Sequence, residues 1–299
     1  MVNTIGQEVN QSPLKVLLCI PHVFAPEEGS LYSSQCAEKR ELKQAALHKA
    51  TIDNLNRHGK RFWIHASLGN QKQVITRELS WDAGIDIKIQ IYTPPSASLS
   101  AQLAQDERIE ICDPYSDNHR LVPLVASRRL LEQACDYDLV GYMEDDLLIE
   151  DSDFFQKLHY LHTNTPAEYC LLPHRCEHIP EQGDVILSGD PDGGRPDLFW
   201  DTGEKIGIPW PTGMKMFYRA TNPHSGCYFL SKDKALSVFN YWKDRNWLSP
   251  FQLSGPLEQA GSGLLLPVLK LMKPMPHHYR FLMVRHQDEL WKRHAFEKT

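Results

Sequence analysis

The sequence predicts an α/β protein with a mixed, mostly parallel sheet flanked by helices. Three observations carry this. Apolar runs of strand length alternate with helix-length segments through the first half of the chain. One run, "DIKIQIYT", alternates apolar and polar residues with the period of a strand. A later run, "YDLVGYM", is apolar from Leu139 on, as a strand covered on both faces must be. The chain has 299 residues, 41% hydrophobic and 23% charged, which is enough to bury a sizeable core.

In order, residues 1–13 are polar and read as a tail. "KVLLCIPHVF" is a first buried strand, which Pro21 ends. "SSQCAEKRELKQAALHKATIDNLNRHG" is a helix that Gly59 stops. "KRFWIHASLG" is a second strand, "DIKIQIYT" a third and "ERIEICDP" a short fourth. "NHRLVPLVASRRLLEQACD" is a helix with Pro123 in its first turn, and it leads into "YDLVGYM". "EDSDFFQKLHYL" starts another helix, with Asp151 or Ser152 as N-cap. The stretch from "QGDVILSGDPDGG" to "GIPWPTG" reads as a long loop rich in Gly and Pro, carrying Trp200 and Trp210. "NPHSGCYFLSKDKAL" is a strand followed by a helix, and "SGPLEQAGSGLLLPVLKLMKP" a loop leading into a helix. The expected organisation is a tail over 1–13 and one domain over 14–299, divided into halves at 14–165 and 166–299.

Composition narrows the function classes. A formal net charge of −6 argues against a general nucleic-acid binder. No window approaches membrane-spanning length, and the start has no signal-peptide pattern, so a cytoplasmic location is expected. Seven scattered cysteines without a CxxC pair read as reduced thiols.

The strongest chemical signal is Glu144, Asp145 and Asp146, directly after the apolar run Leu139–Met143. Ligands of open α/β sheets bind outside the carboxyl ends of the strands. Three adjacent acids repel one another unless a positive charge lies among them. A divalent cation bridging to substrate phosphates is one answer, since Mg2+ and Mn2+ take oxygen ligands. A solvated turn that caps the next helix is the other. His119 and Arg120 stand near a helix start, and with Arg128 and Arg129 are candidates for phosphate contacts; the last two fit a solvated helix face equally.

"EDDLLIEDSDFF" resembles the acidic metal-binding motif of GT-A glycosyltransferases. It is similar to that of the N-acetylglucosaminyltransferase I family, an EDD followed by an apolar residue, a spacer and "DFF". The close match covers about a dozen residues and the broader pattern roughly the first 165; the C-terminal half is not matched. The resemblance implies a GT-A (Rossmann-like) fold, Mn2+ or Mg2+, and a nucleoside-diphosphate sugar, with UDP favoured. A glycan or other hydroxyl would be the acceptor. Asp146 would be the direct metal ligand, with Glu144 and Asp145 toward the ribose and sugar. Pro21, His22 and Phe24 would contact base and ribose, with His65 and Asn70 as weaker candidates for that pocket. Ser225 and Gly226 would line the donor sugar, and His286 or His278 would add a metal ligand. Glu258, near a helix start, would be the general base of an inverting transfer, with Asp201 and Glu204 as alternatives. Bland readings stand beside each: a strand end, a tight turn, a dipole-favoured acid, a surface histidine.

His174 and His178, four apart, make a weak zinc pair, and "GDPDGGRPD" with Asp190, Asp192 and Asp197 lacks the pattern of a calcium loop. Two further function classes remain: a nucleotidyltransferase making a nucleotide-sugar, and a non-catalytic carbohydrate-binding protein. The first expects a basic Gly-rich loop after the first strand, where "PHVFAPEEGS" is acidic.

Overall fold

The structure is a computed structural model that describes residues 12–28, 33–58, 62–67, 73–78, 84–116, 118–179, 183–187, 201–220, 223–247 and 255–287. Its main sheet has five strands: β1 (Leu14–Pro21), β4 (Ile85–Tyr92), β5 (Ile109–Cys112), β6 (Leu139–Met143) and β13 (Cys227–Ser231). They lie in the order β13-β6-β1-β4-β5. The β1–β4, β4–β5 and β1–β6 pairs are parallel, and β13 joins β6 antiparallel. The expected class, a mixed and mostly parallel sheet flanked by helices, is what is found.

Alternation along each strand feeds two cores. Val16, Leu18 and Ile20 of β1 pack on one face with Leu47, Leu55, Phe154 and Phe155. Leu17 and Cys19 pack on the other with Leu130, Leu131, Val238 and Trp242. The helices that supply these layers are α1 (Arg40–His48), α2 (Asn54–His58), α3 (Val122–Glu132), α4 (Phe154–Thr163) and α5 (Lys232–Trp242). Gly141 in β6 has a steric reason: a Cβ there would lie 2.5 Å from the Phe229 ring.

The chain leaves β1 for β4 and β5 on one side, then crosses by α3 to β6 on the other side of β1. The carboxyl ends of β1 and β6 therefore flank a topological switch point, where open α/β sheets form their crevice.

Several expectations change. The single helix expected up to Gly59 is broken. A π turn, Lys49–Asp53, separates α1 from α2. There Thr51 Oγ1 donates to the Leu47 carbonyl at 2.7 Å and Asn54 Nδ2 to the Ala50 carbonyl at 2.7 Å, side-chain bonds that compete with the helical ladder. The second expected strand, β2 (Phe62–Ser67), does not enter the main sheet. It pairs antiparallel with β3 (Gln73–Glu78) as a separate ribbon. The N-cap of α4 is Asp153 rather than Asp151 or Ser152; Asp151 instead accepts from the Asp153 N–H at 3.0 Å and from Lys157 at 2.5 Å.

From the acidic triplet on, the chain holds more strand than expected: β7 (Leu147–Leu148), β8 (Tyr169–Leu171), β9 (His174–Ile179), β10 (Gly183–Leu187), β11 (Asp201–Ile208), β12 (Lys215–Ala220), β14 (Lys270–Pro274) and β15 (Met283–His286). These form two four-stranded sheets, β10-β9-β15-β7 and β11-β12-β14-β8. The expected long loop thus contains β10 and β11. The last expected helix reduces to α6 (Pro256–Glu258), a π turn over Gln259–Gly263, and then strand β14.

Candidate functional site

Strand β6 delivers Glu144, Asp145 and Asp146 to the switch point, and the two-residue β7 follows. Glu144 and Asp145 are buried. Asp145 has both oxygens taken: His22 Nδ1 is 2.5 Å from Oδ2 and Lys43 Nζ is 2.6 Å from Oδ1. The Leu99 N–H donates to His22 Nε2 at 3.1 Å. That leaves Nδ1 as the protonated nitrogen that donates to Asp145. Burial pushes the Asp145 carboxyl up, but Lys43 and the His22 hydrogen bond outweigh it and hold it at about 2.

Glu144 donates its N–H to the Gly226 carbonyl at 2.9 Å. Its carboxylate lies 3.5 Å from His224 Nε2 and 3.9 Å from Arg175 Nη1. Burial raises this carboxyl, and His224 followed by Arg175 brings it below its ordinary value. Lys273, fully buried, donates to the His224 carbonyl at 2.8 Å. Burial, reinforced by Arg175, lowers its ammonium to about 7.

Asp146 meets Lys43 at 3.6 Å and His286 Nε2 at 3.8 Å, both through Oδ2. Its Oδ1 is buried with no hydrogen-bond partner among the described residues. Burial is the main reason its carboxyl is raised. His286 is brought here by strand pairing: β15 runs antiparallel to β7, and the Gln287 N–H donates to the Asp146 carbonyl at 2.9 Å. His286 Nδ1 lies 2.9 Å from Glu177 Oε1. Burial lowers the imidazole, yet Asp146 and Glu177 outweigh it and raise its pKa.

The other expected residues are placed as follows. Pro21 ends β1 against Tyr92, and Phe24 is buried with the Arg40 guanidinium 5.5 Å from its ring centre. His119 is half-buried in a turn before α3. Arg128 and Arg129 both pair with Glu132 at 2.8 Å. Ser225 is buried, and Gly226 has φ +68°, with space for a Cβ closed by Glu144 Oε2 at 2.9 Å.

Glu258 is half-buried with its carboxylate turned back toward Gly255; its charge, after burial and those of Glu144 and Tyr228, raises Tyr142, whose hydroxyl is buried without a partner among the described residues. His278 accepts from the Met216 N–H at 3.1 Å, which places its ring against β12. Glu204 pairs with Lys270 and Arg219. Trp210 packs edge-on between Tyr160 and Phe281. His174 Nε2 donates to the Pro274 carbonyl, while His178 meets Asp184. Asn70, Asp190, Asp192, Asp197, Trp200 and the side chains of His65 and Asp201 lie outside the described residues.

The structure thus brings His22, Glu144, Asp145, Asp146, Gly226 and His286 together. It adds Lys43, Arg175, Glu177, His224 and Lys273, which sequence reasoning did not single out. Lys43 had a legible signal: it shares the inward face of α1 with Leu47, four residues on, where an apolar residue is usual.

Among the described residues no three His, Cys, Asp or Glu side chains converge on one point suited to a cation. The pair Asp146 and His286 fits the sparser kind of site, in which substrate phosphates and water complete the shell. The unpartnered Asp146 Oδ1 and the Glu177 carboxylate behind the imidazole both agree with that.

No family model matches this chain, and no curated protein matches it. Solved structures give faint likenesses. One is 4-diphosphocytidyl-2C-methyl-D-erythritol synthase, 10% identical over 87% of this chain and 88% of that one, with a TM-score of 0.36. Another is a candidate nucleotide-diphospho-sugar transferase from Desulfovibrio desulfuricans, 9% identical over 88% and 80%, with a TM-score of 0.36. Similarity at this level carries no argument about architecture or chemistry. The α/β class rests on the strand order and helical layers themselves.

Proposed function

We propose that this chain is a metal-dependent glycosyltransferase of the GT-A type. It would move a sugar from a nucleoside-diphosphate sugar, with UDP favoured, to a hydroxyl of a glycan or other acceptor, with inversion. The observation that supports it is the meeting of Asp146 and His286 at the switch-point crevice, with Asp146 Oδ1 buried and unpartnered. These two residues would hold Mn2+ or Mg2+. When bound, the cation supplies Lewis-acid stabilisation of charge on the leaving diphosphate.

The chain's own groups do the rest. Glu177 fixes the His286 ring through Nδ1, which turns Nε2 toward Asp146. His22 and Lys43 lock Asp145, so Asp145 orients the turn that carries Asp146. Glu258 takes the proton of the acceptor hydroxyl as its oxygen bonds to the anomeric carbon. The bond from that carbon to the diphosphate oxygen breaks, and its electron pair leaves with the diphosphate.

One observation favours a second reading. Every carboxylate of the triplet already faces a protein cation or imidazole, an arrangement that also suits the ion-pair network of a non-catalytic carbohydrate-binding protein.

The deciding experiment is a thermal-shift screen of UDP, GDP, CDP and ADP, each with and without Mn2+, on the wild type and Asp146→Ala. A ligand at a hundred times its Kd adds about 2.7 kcal/mol of native-state stability. A shift with one nucleotide, dependent on Mn2+ and lost in Asp146→Ala, is the expected result. No shift with any nucleotide would refute the donor site, and a shift with free glycans alone would establish the second reading.

A further inference from the structure

We propose that Lys43 is a resident counter-cation of the acidic triplet that makes divalent-cation binding at Asp146 conditional on a nucleoside diphosphate. The inference rests on the donor-site reading above and adds to it a residue and a binding order.

Helix α1 buries only Lys43 and Leu47. Lys43 thus occupies one of the two inward positions of the helix, at 6% exposure. Carrying an ammonium inside a protein is costly unless anions receive it. Here its Nζ lies 2.6 Å from Asp145 and 3.6 Å from Asp146, a reach across 102 positions of sequence. These carboxylates outweigh burial and keep the ammonium charged.

The same contacts decide how a second cation is received. Asp145 has no free oxygen to offer, because His22 and Lys43 hold both. Asp146 offers Oδ1, but an ammonium already lies 3.6 Å from its other oxygen. A divalent cation at Asp146 would therefore enter beside a fixed positive charge, in a region too buried for salt to screen the repulsion well. A diphosphate carries the opposite charge and interacts favourably with both cations. Metal and nucleotide should then bind cooperatively, and by linkage each raises the affinity of the other by the same factor.

The test is a titration of the full chain with MnCl2, followed by the electron paramagnetic resonance signal of free Mn2+ and by calorimetry. It is run without nucleotide and with saturating UDP, GDP, CDP or ADP, on the wild type, Lys43→Met and Lys43→Arg. The wild type should bind Mn2+ weakly alone and about tenfold or more tightly with one of the nucleotides, a coupling of ordinary allosteric size. Lys43→Met should bind Mn2+ alone about tenfold more tightly than the wild type and lose most of the nucleotide enhancement. Lys43→Arg, which keeps the charge, should keep the wild-type pattern.

An enhancement undiminished in Lys43→Met would overturn the role of Lys43 and leave the donor site standing. Absence of Mn2+ binding by the wild type with every nucleotide would overturn both. Should circular dichroism show Lys43→Met unfolded, Lys43→Gln is read in its place. Wild-type binding of Mn2+ alone as tight as with nucleotide overturns the proposal without any variant.

Discussion

Asp145→Asn tests whether the clamp on the acidic turn is structural. The substitution keeps the side-chain shape and removes the charge and one acceptor. Its amide nitrogen must then face either the His22 Nδ1–H or the Lys43 ammonium, donor against donor, where the carboxylate now makes bonds of 2.5 and 2.6 Å. Two routes give the size of the effect. The carboxyl is held at about 2 against an ordinary 3.8, and each pH unit is worth about 1.4 kcal/mol, so the charged form is favoured in the folded state by about 2–3 kcal/mol. Removing one partner of a buried ion pair costs about 3–5 kcal/mol in general. Both agree on a loss of about 3 kcal/mol at pH 7.

The pH dependence carries the sign. A carboxylate with a lowered folded pKa contributes stability above its unfolded value, near 3.8, and loses that contribution as pH falls toward 2. The gap between wild type and Asp145→Asn, measured by urea denaturation with tryptophan fluorescence, should therefore be full near neutrality and narrow below pH 4. A loss under about 1 kcal/mol at pH 7 would refute the reasoning, since buried pairs exceed that when broken. So would a gap that does not narrow in acid.

Three further outcomes are expected. Gly226→Ala combines backbone strain at φ +68° with a Cβ 2.9 Å from Glu144 Oε2, whereas Gly183→Ala has φ +85° and nothing within 4 Å among the described residues; denaturation should show Gly226→Ala about 1–3 kcal/mol costlier, the range for overpacking. Lys273 loses its proton near pH 7 when folded but keeps it to about 10.5 when unfolded, so unfolding takes up a proton between those values. Stability of the wild type relative to Lys273→Met should then rise by about 1 kcal/mol per pH unit from pH 7 to 9, and a flat difference would show an ordinary ammonium. Glu258→Gln should lower turnover by about 10^2 to 10^4-fold with nucleotide binding unchanged, and full turnover would remove it as the base.

The first half is legible in the sequence because its pattern is dictated by burial on two faces. From Val16 on, β1 is apolar, and β6 is apolar from end to end, since helices cover both sides, and the alternation of "DIKIQIYT" by itself marks β4 as a strand. β3 escapes such a reading because "QVITRE" is short and mixed, and its pairing with β2 outside the main sheet is a tertiary choice. β14 is hidden in "VLKLMKP", where a buried lysine breaks the apolar run and a preceding Leu-rich stretch imitates a helix. At the site, the acids and His286 can be found from residue type and place. Lys43 leaves only the trace of its helical spacing from Leu47, while Arg175, Glu177 and Lys273 cannot be assigned there, because charged residues are expected at the surface and only the fold shows them turned inward.

The clamp on Asp145 also imposes an order on assembly. Its partners, His22 and Lys43, both precede it in the chain. Those of Glu144 and Asp146 mostly follow: Arg175, His224 and His286. Chains emerge from synthesis amino end first, and distant contacts form late. The middle acid of the triplet can therefore be neutralised while the first half folds, whereas Glu144 waits for Arg175 and His224 and Asp146 for His286. When the chain has passed β6, Asp145 has both its partners and Asp146 has Lys43, while the cation and imidazole that face Glu144 are still to come. The last described strand, β15, brings His286 and closes the cluster.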